Sequence, residues 1–190
     1  MKTVNILICG VGGQGVLLAG DIIAETAIAA GHDAKKSEVH GMAQRGGSVV
    51  SHVRFGDKVN SPLIREGEAD VILSFEEMET ARYLQFLKPD GAVIINRQQV
   101  TPMTVATGAA EYPAGIVEEI RKQVPATVLC DGPKLSEQAG SPKTINIVLV
   151  GALAKQLAIP RETWVSTISG RVPPKTVAMN TKAFELGYGS

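Results

Sequence analysis

Three glycines, Gly10, Gly12 and Gly15, end an apolar run that starts at Val4-Asn5-Ile6-Leu7-Ile8-Cys9, and a second apolar stretch, Val16 to Ala30, follows at once. Their spacing is G-x-G-x-x-G, and a strand that reverses through such a turn into a helix is the setting this spacing needs. Each glycine permits something a Cβ forbids: a tight reversal, close approach of a ligand or second backbone, and close packing of helix on sheet. A helix that starts here presents unpaired N–H groups at the positive end of its dipole, so the turn can hold an anion. The same glycines also suit a bare β–α corner with no ligand, because a fold does not fix a function. Gly10, Gly12, Gly13, Gln14 and Gly15 are therefore the first candidate binding residues.

Gly31, just past that helix, is placed to close it in a left-handed turn. Asp33 to Val39 reads as a second strand, with Lys35 and Lys36 arguing against full burial. A dinucleotide-binding fold uses an acid about 20 residues beyond its glycines to hold ribose hydroxyls. Glu38 lies 23 positions after Gly15 and fits that spacing, as would an ordinary surface glutamate. The next stretch, His40-Gly41-Met42-Ala43-Gln44-Arg45-Gly46-Gly47, sets a His, a Gln and an Arg among glycines, just before a strand at Ser48 to Phe55. Glycine allows close backbone approach there, and an arginine offers a planar fork of donors to a carboxylate or phosphate. His40, Gln44, Arg45, Gly46 and Gly47 are the second candidate group. In a doubly wound sheet the loops after strands one and two share the carboxyl edge, so the two glycine loops are expected to form one surface.

Asp70 to Phe75 predicts a buried strand, and Glu76 to Leu87 an amphipathic helix with Met78, Ala81, Leu84, Phe86 and Leu87 facing inward. Asp70, Glu76, Glu77 and Glu79 read as a solvated helix start that complements the dipole. A turn at Pro89-Asp90-Gly91 and a strand at Ala92 to Asn96 complete a parallel βαβ crossover. The Thr-rich segment from Arg97 to Tyr112 reads as a strand or an arm. A helix at Ala114 to Gln123 and a strand at Ala126 to Cys130 follow. Beyond Asp131 the chain turns helical, with the longest helix expected at Pro142 to Ala158 and others at Pro160 to Ser169 and Lys175 to Leu186. The expected architecture is α/β: one Rossmann-like, doubly wound, mostly parallel sheet flanked by helices, with a helical C-terminal third, in a single domain over residues 1–190.

Nineteen basic residues balance nineteen acidic ones, which argues against a nucleic-acid or membrane surface read by charge. No apolar run reaches the ~20 residues of a membrane span, and Met1-Lys2-Thr3 leads straight into the first strand, so a cytoplasmic chain is expected. Cys9 and Cys130 lack a CxxC partner and read as buried hydrophobes; two cysteines cannot ligate a cubane cluster, which takes about four thiolates. His32, His40 and His52 have no zinc-site spacing. Neither a Walker loop nor a GxSxG elbow is present, and no catalytic residue is assigned.

Taken together, Gly-Val-Gly-Gly-Gln-Gly-Val at 10–16 and Glu-Val-His-Gly-Met-Ala-Gln-Arg-Gly-Gly-Ser-Val at 38–49 closely resemble the gamma-type domain of 2-oxoacid:ferredoxin oxidoreductases, within it most of all the free-standing beta-subunit branch that serves indolepyruvate. Asn146, before Gly151-Ala152-Leu153, fits the same pattern. The resemblance covers essentially the whole chain. It implies a subunit of an enzyme that converts an aryl 2-oxoacid, coenzyme A and oxidised ferredoxin to an aryl-acyl-CoA, CO₂ and reduced ferredoxin. It further implies that thiamine diphosphate, magnesium and iron–sulfur clusters sit in a large (alpha) partner subunit, with ferredoxin as acceptor and coenzyme A as co-substrate. No resident cofactor is expected in this chain. Gln14, His40, Gln44 and Arg45 would then be polar contacts on the surface facing that partner. The competing readings are a stand-alone NAD(P)- or nucleotide-binding enzyme using Gly10–Gly15 and Glu38, an adenylating enzyme with a GxGGxG loop, and a non-catalytic scaffold.

Overall fold

The computed structural model describes residues 2–40 and 46–190, with His40 described by its backbone alone. The Gly41–Arg45 stretch, including the candidates Gln44 and Arg45, lies outside the described residues. The elements run β1 (Val4–Val11), α1 (Val16–Ala29), β2 (Asp33–His40), β3 (Ser48–Gly56), β4 (Ala69–Ser74), α2 (Glu77–Tyr83), β5 (Leu87–Asn96), α3 (Met103–Ala106), α4 (Ile116–Gln123) and β6 (Thr127–Cys130), then α5 (Gly132–Ala139), α6 (Ile145–Ala154), α7 (Arg161–Arg171) and α8 (Val177–Tyr188).

The strands form one six-stranded sheet in the order β2-β3-β1-β4-β5-β6. β1, β4, β5 and β6 pair in parallel, while β3 runs antiparallel to both β1 and β2. The sheet is thus mostly parallel and helix-flanked, as the element order predicts, but β2 and β3 form a hairpin rather than a crossover. Only seven residues separate His40 from Ser48, and adjacent parallel strands need a connection of about a dozen or more. Because β3 is itself reversed, β1 and β2 point the same way, and their following loops share one edge.

Side chains alternate across the sheet with period two. Ile6 and Ile8 of β1 pack with α1 and α6–α8, whereas Leu7 and Cys9 join the face covered by α2 and α4. α6 is buried on nearly every side, consistent with its uniformly apolar sequence. It crosses α8 where Gly151 and Gly187 bring the two backbones together: a Cβ on Gly187 would stand 1.9 Å from the Val148 carbonyl oxygen. α1 ends as its sequence predicts. Gly31 is left-handed (φ 88°), its N–H bonds the Ile28 carbonyl, and the His32 N–H bonds that of Ala27, the Schellman pattern.

Four expectations are corrected. The helix after β4 is shorter than Glu76–Leu87: it gives way to a 3₁₀ turn at Leu84–Phe86, and Leu87 already pairs with Ala69 in the sheet. Within it the buried positions are Glu79 and Thr80 and Ala81 is exposed, whereas Leu84, Phe86 and Leu87 beyond it do pack against the core. The residues Pro89–Gly91 lie within β5, as an irregularity in its register with β4. The longest helix is α1, because Pro142–Thr144 forms a separate 3₁₀ turn and the α-helix beyond it stops at Ala154. Residues 97–112 contain no strand and carry the single-turn α3.

Candidate functional site

The carboxyl ends of β1, β4, β5 and β6 are joined by amide side chains. Gln14 folds back over the glycine turn: its Oε1 accepts the Val11 N–H at 2.7 Å, and its Nε2 donates to the Phe75 carbonyl and to Gln98 Oε1, each at 3.1 Å. Asn96, fully buried at the end of β5, donates to the same Phe75 carbonyl at 3.0 Å and to Gln98 Oε1 at 3.1 Å. Its Oδ1 accepts the Gly132 N–H at 3.1 Å, at the start of α5. This lattice satisfies buried backbone groups that the sheet and helices leave unpaired, and it fixes the turn. Gly10 cannot be larger, because a Cβ there would meet Phe75, Gln14 and Val16 within 3 Å. Gly13 and Gly15 hold φ of 103° and 87°, which other residues rarely adopt.

The two glycine loops meet as predicted. The Gly12 N–H bonds the Gly47 carbonyl at 2.8 Å, and the Gly46 N–H bonds the Gly12 carbonyl at 3.4 Å. Glu38 is not drawn in: β3 stands between its strand and β1. Its carboxylate pairs with Lys36, which also binds Asp21 of α1. The β2 backbone carries His40 to the same edge as the loops, opposite Val49.

Two hollows flank the glycine turn. One, of about 620 Å³, opens in front of α1 between Gly13, Gly15, Gln98, Lys143 and Asn146. Gly15 caps α1 without a side-chain acceptor, and no acid stands in the first helical turn, so the helix dipole is uncompensated there. Asn146 is only 5% exposed, and Gly15 leaves room for it: a Cβ there would stand 3.1 Å from its Nδ2. The second hollow is apolar, about 430 Å³, and lined by Val11, Val16, Leu17, Leu18 and Val49. The first suits an anion and the second an apolar partner surface.

Across the edge, two of the four acids expected to be solvated are not, while Glu77 is only partly buried. Glu76 is wholly buried and Glu79 is 3% exposed. Glu76 Oε2 accepts the Glu79 N–H at 2.9 Å, capping α2, while Oε1 accepts the Val100 N–H at 3.1 Å and the Tyr112 hydroxyl at 2.5 Å. Glu79 accepts from Ser48 Oγ and from Arg82 Nε at 3.0 Å. Burial and the Glu76 carboxylate push the Tyr112 phenol well above its ordinary range, so it is a donor. Asp70, read with them as a solvated helix start, instead lies within β4, partly buried and paired with Lys88.

The described residues do not fit a metal centre. Cys9 is sealed beneath α2, its thiol within hydrogen-bond reach of Ser74 Oγ at 3.3 Å and of the Glu79 carbonyl at 3.6 Å, and burial pushes it up to about 12. Burial likewise raises Cys130 to about 11. Neither is poised to become a thiolate ligand. No group of three metal-ligating side chains occurs among the described residues, and no helix among them is long and apolar enough to cross a membrane.

This fold and shared loop edge belong to a known class: the chain is a member of the pyruvate ferredoxin/flavodoxin oxidoreductase family, which matches residues 5–190. It is a subunit of an oxidoreductase. It is 44% identical to indolepyruvate oxidoreductase subunit IorB of Pyrococcus horikoshii and 43% identical to that of Thermococcus kodakarensis, each match covering 98% of this chain and 95% of the relative. A crystal structure of the gamma subunit of a keto/oxoacid ferredoxin oxidoreductase from Geobacter sulfurreducens has the same fold, with a TM-score of 0.73, 26% identity, and coverage of 98% of this chain and 96% of that one. These matches give no support to a stand-alone nucleotide enzyme.

The residues that sequence reasoning missed are Asn96, Gln98 and Lys143, together with the buried state of Glu76 and Glu79. Asn96 left one signal, a polar residue closing the run Val93-Ile94-Ile95.

Proposed function

We propose that this chain is the small (beta) subunit of an indolepyruvate:ferredoxin oxidoreductase. The carrying observation is identity of 43–44% over nearly the full length of relatives bearing that name. The enzyme takes an aryl 2-oxoacid, CoA and two oxidised ferredoxins to an aryl-acyl-CoA, CO₂, two reduced ferredoxins and two protons. Thiamine diphosphate with magnesium and the iron–sulfur clusters belong to the large (alpha) subunit; thiamine diphosphate supplies the carbanion and the clusters carry the electrons. In support, this chain has two cysteines, both buried and protonated.

Its own role is to complete the assembly as one cytoplasmic domain. The joined glycine loops, with the apolar hollow at Leu17 and the polar candidates Gln14, His40, Gln44 and Arg45, face the large subunit. Gln14 acts mainly through the turn it holds, since its amide is spent within the chain. The hollow between Gly15, Lys143 and Asn146 suits the phosphates of CoA by its helix dipole and cation. In the assembled enzyme, Lys143→Ala is expected to raise KM for CoA about fivefold, the loss of one charge-assisted phosphate contact. The values of kcat and of KM for the 2-oxoacid should stay near wild type. An unchanged KM for CoA would remove the phosphate assignment.

A further inference from the structure

Between β5 and α4 the chain runs out along the sheet edge in a segment that the packing of the core does not require. Residues 101–115 carry one charged side chain, Glu111, in a chain in which 20% of residues are charged. All but Pro102, Val105 and Tyr112 are exposed, and Met103 is 77% exposed. An exposed surface so poor in charge is cheap to desolvate, the property that marks the centre of a protein–protein interface. The segment is nevertheless held in place. Val100 and Tyr112, near its two ends, both donate to the one buried oxygen Glu76 Oε1. The Gln98 carbonyl accepts the Glu77 N–H at 3.1 Å, and Gln99 Nε2 donates to Glu77 at 2.8 Å. The carboxylate therefore works as a latch that pins both ends and leaves the α3 tip projecting.

We infer that this latched arm is a second docking element for the large subunit, inserting Met103 and its small uncharged neighbours into an uncharged groove there. The occupant follows from continuity: Val100 and Pro102 line one small hollow with Val11, Gly46 and Ser48, so the arm extends the surface formed by the glycine loops. The inference rests on the subunit reading above. Glu76 and Tyr112 are positioning residues in it, because they touch the arm and not the partner.

The test measures the affinity of the full chain for the separately purified large subunit. Met103→Glu, with a charge at the tip, is compared with Leu63→Glu, another exposed apolar position (53%), in the β3–β4 connection at the opposite edge. Met103→Glu is expected to raise the dissociation constant at least about tenfold, and Leu63→Glu to leave it unchanged. Both isolated variants should melt within about 2 °C of wild type, as surface substitutions do. Wild-type affinity for Met103→Glu, or equal losses in both variants, would overturn the arm's role. So would an isolated wild-type dimer that Met103→Glu splits, which would make the arm a contact between copies. Failure of the wild-type chain to bind the large subunit at all would instead strike the subunit reading.

Discussion

Gly187→Ala should be among the most damaging single-methyl changes in this protein, lowering the melting temperature by about 10 °C. The added Cβ would stand 1.9 Å from the Val148 carbonyl oxygen and 2.7 Å from its carbon, all backbone atoms of α6. No side chain can rotate away, so α6 and α8 must part along their crossing and the apolar layer around Phe184, Trp164 and Leu149 loosens with them. Alanine gains about 1 kcal/mol over glycine in helix propensity. Overpacking of this severity costs about 3 kcal/mol or more, so the clash decides the sign. Gly151→Ala, whose Cβ would lie 2.2 Å from the Phe184 carbonyl oxygen, should behave alike. Gly170→Ala on α7 meets nothing within 4 Å and should stabilise by up to about 1 kcal/mol. Thermal melts of the three variants check the account, and equal melting temperatures for Gly187→Ala and Gly170→Ala would contradict the close crossing.

Glu76→Ala should cost about 3–5 kcal/mol, although an exposed acid at a helix start would cost far less. Removing the carboxylate strands three donors, the N–H groups of Glu79 and Val100 and the Tyr112 hydroxyl, and uncaps α2. Each unsatisfied buried donor costs about 1–3 kcal/mol, the lost cap being the Glu79 N–H already among the three, with water recovering part at the half-buried Tyr112. Tyr112→Phe removes a single bond and should cost about 1–2 kcal/mol. Denaturant melts of both variants and of the double mutant form a cycle. A double-mutant loss close to that of Glu76→Ala alone would mark the pair as one unit; strict additivity would mean that they do not communicate. Amide exchange should also speed up across residues 100–112 in both single variants.

How much of this was legible depends on whether the cause is local. The glycine turn could be read because an apolar strand, three glycines and an apolar helix adjoin one another in the chain, and each glycine has a nearby reason. The meeting of the two loops followed from strand direction alone. The β2–β3 hairpin also left its mark in the length of the connection, which is too short for a crossover. Glu76 and Glu79 did not betray their burial, because an acid at a helix start is ordinarily solvated, and it is Val100, Tyr112 and Ser48 from distant segments that cover and bind them. The amide lattice was hidden for the same reason: Gln14 and Gln98 are 84 positions apart and meet only when the sheet forms. Sequence pattern also mistook the period of α2, whose buried positions are polar and satisfied by hydrogen bonds.

If this chain completes an oxidoreductase whose redox cofactors lie in another subunit, activity should depend on reconstitution of the two. The chain and the large subunit proposed to bear the clusters are produced separately and together, and indolepyruvate- and CoA-dependent reduction of a viologen dye is followed. Activity in the mixture, with neither subunit active alone, is the predicted result. Full activity from the large subunit by itself, or one-to-one binding of NAD or ATP by the isolated chain with no activity in the mixture, would contradict it.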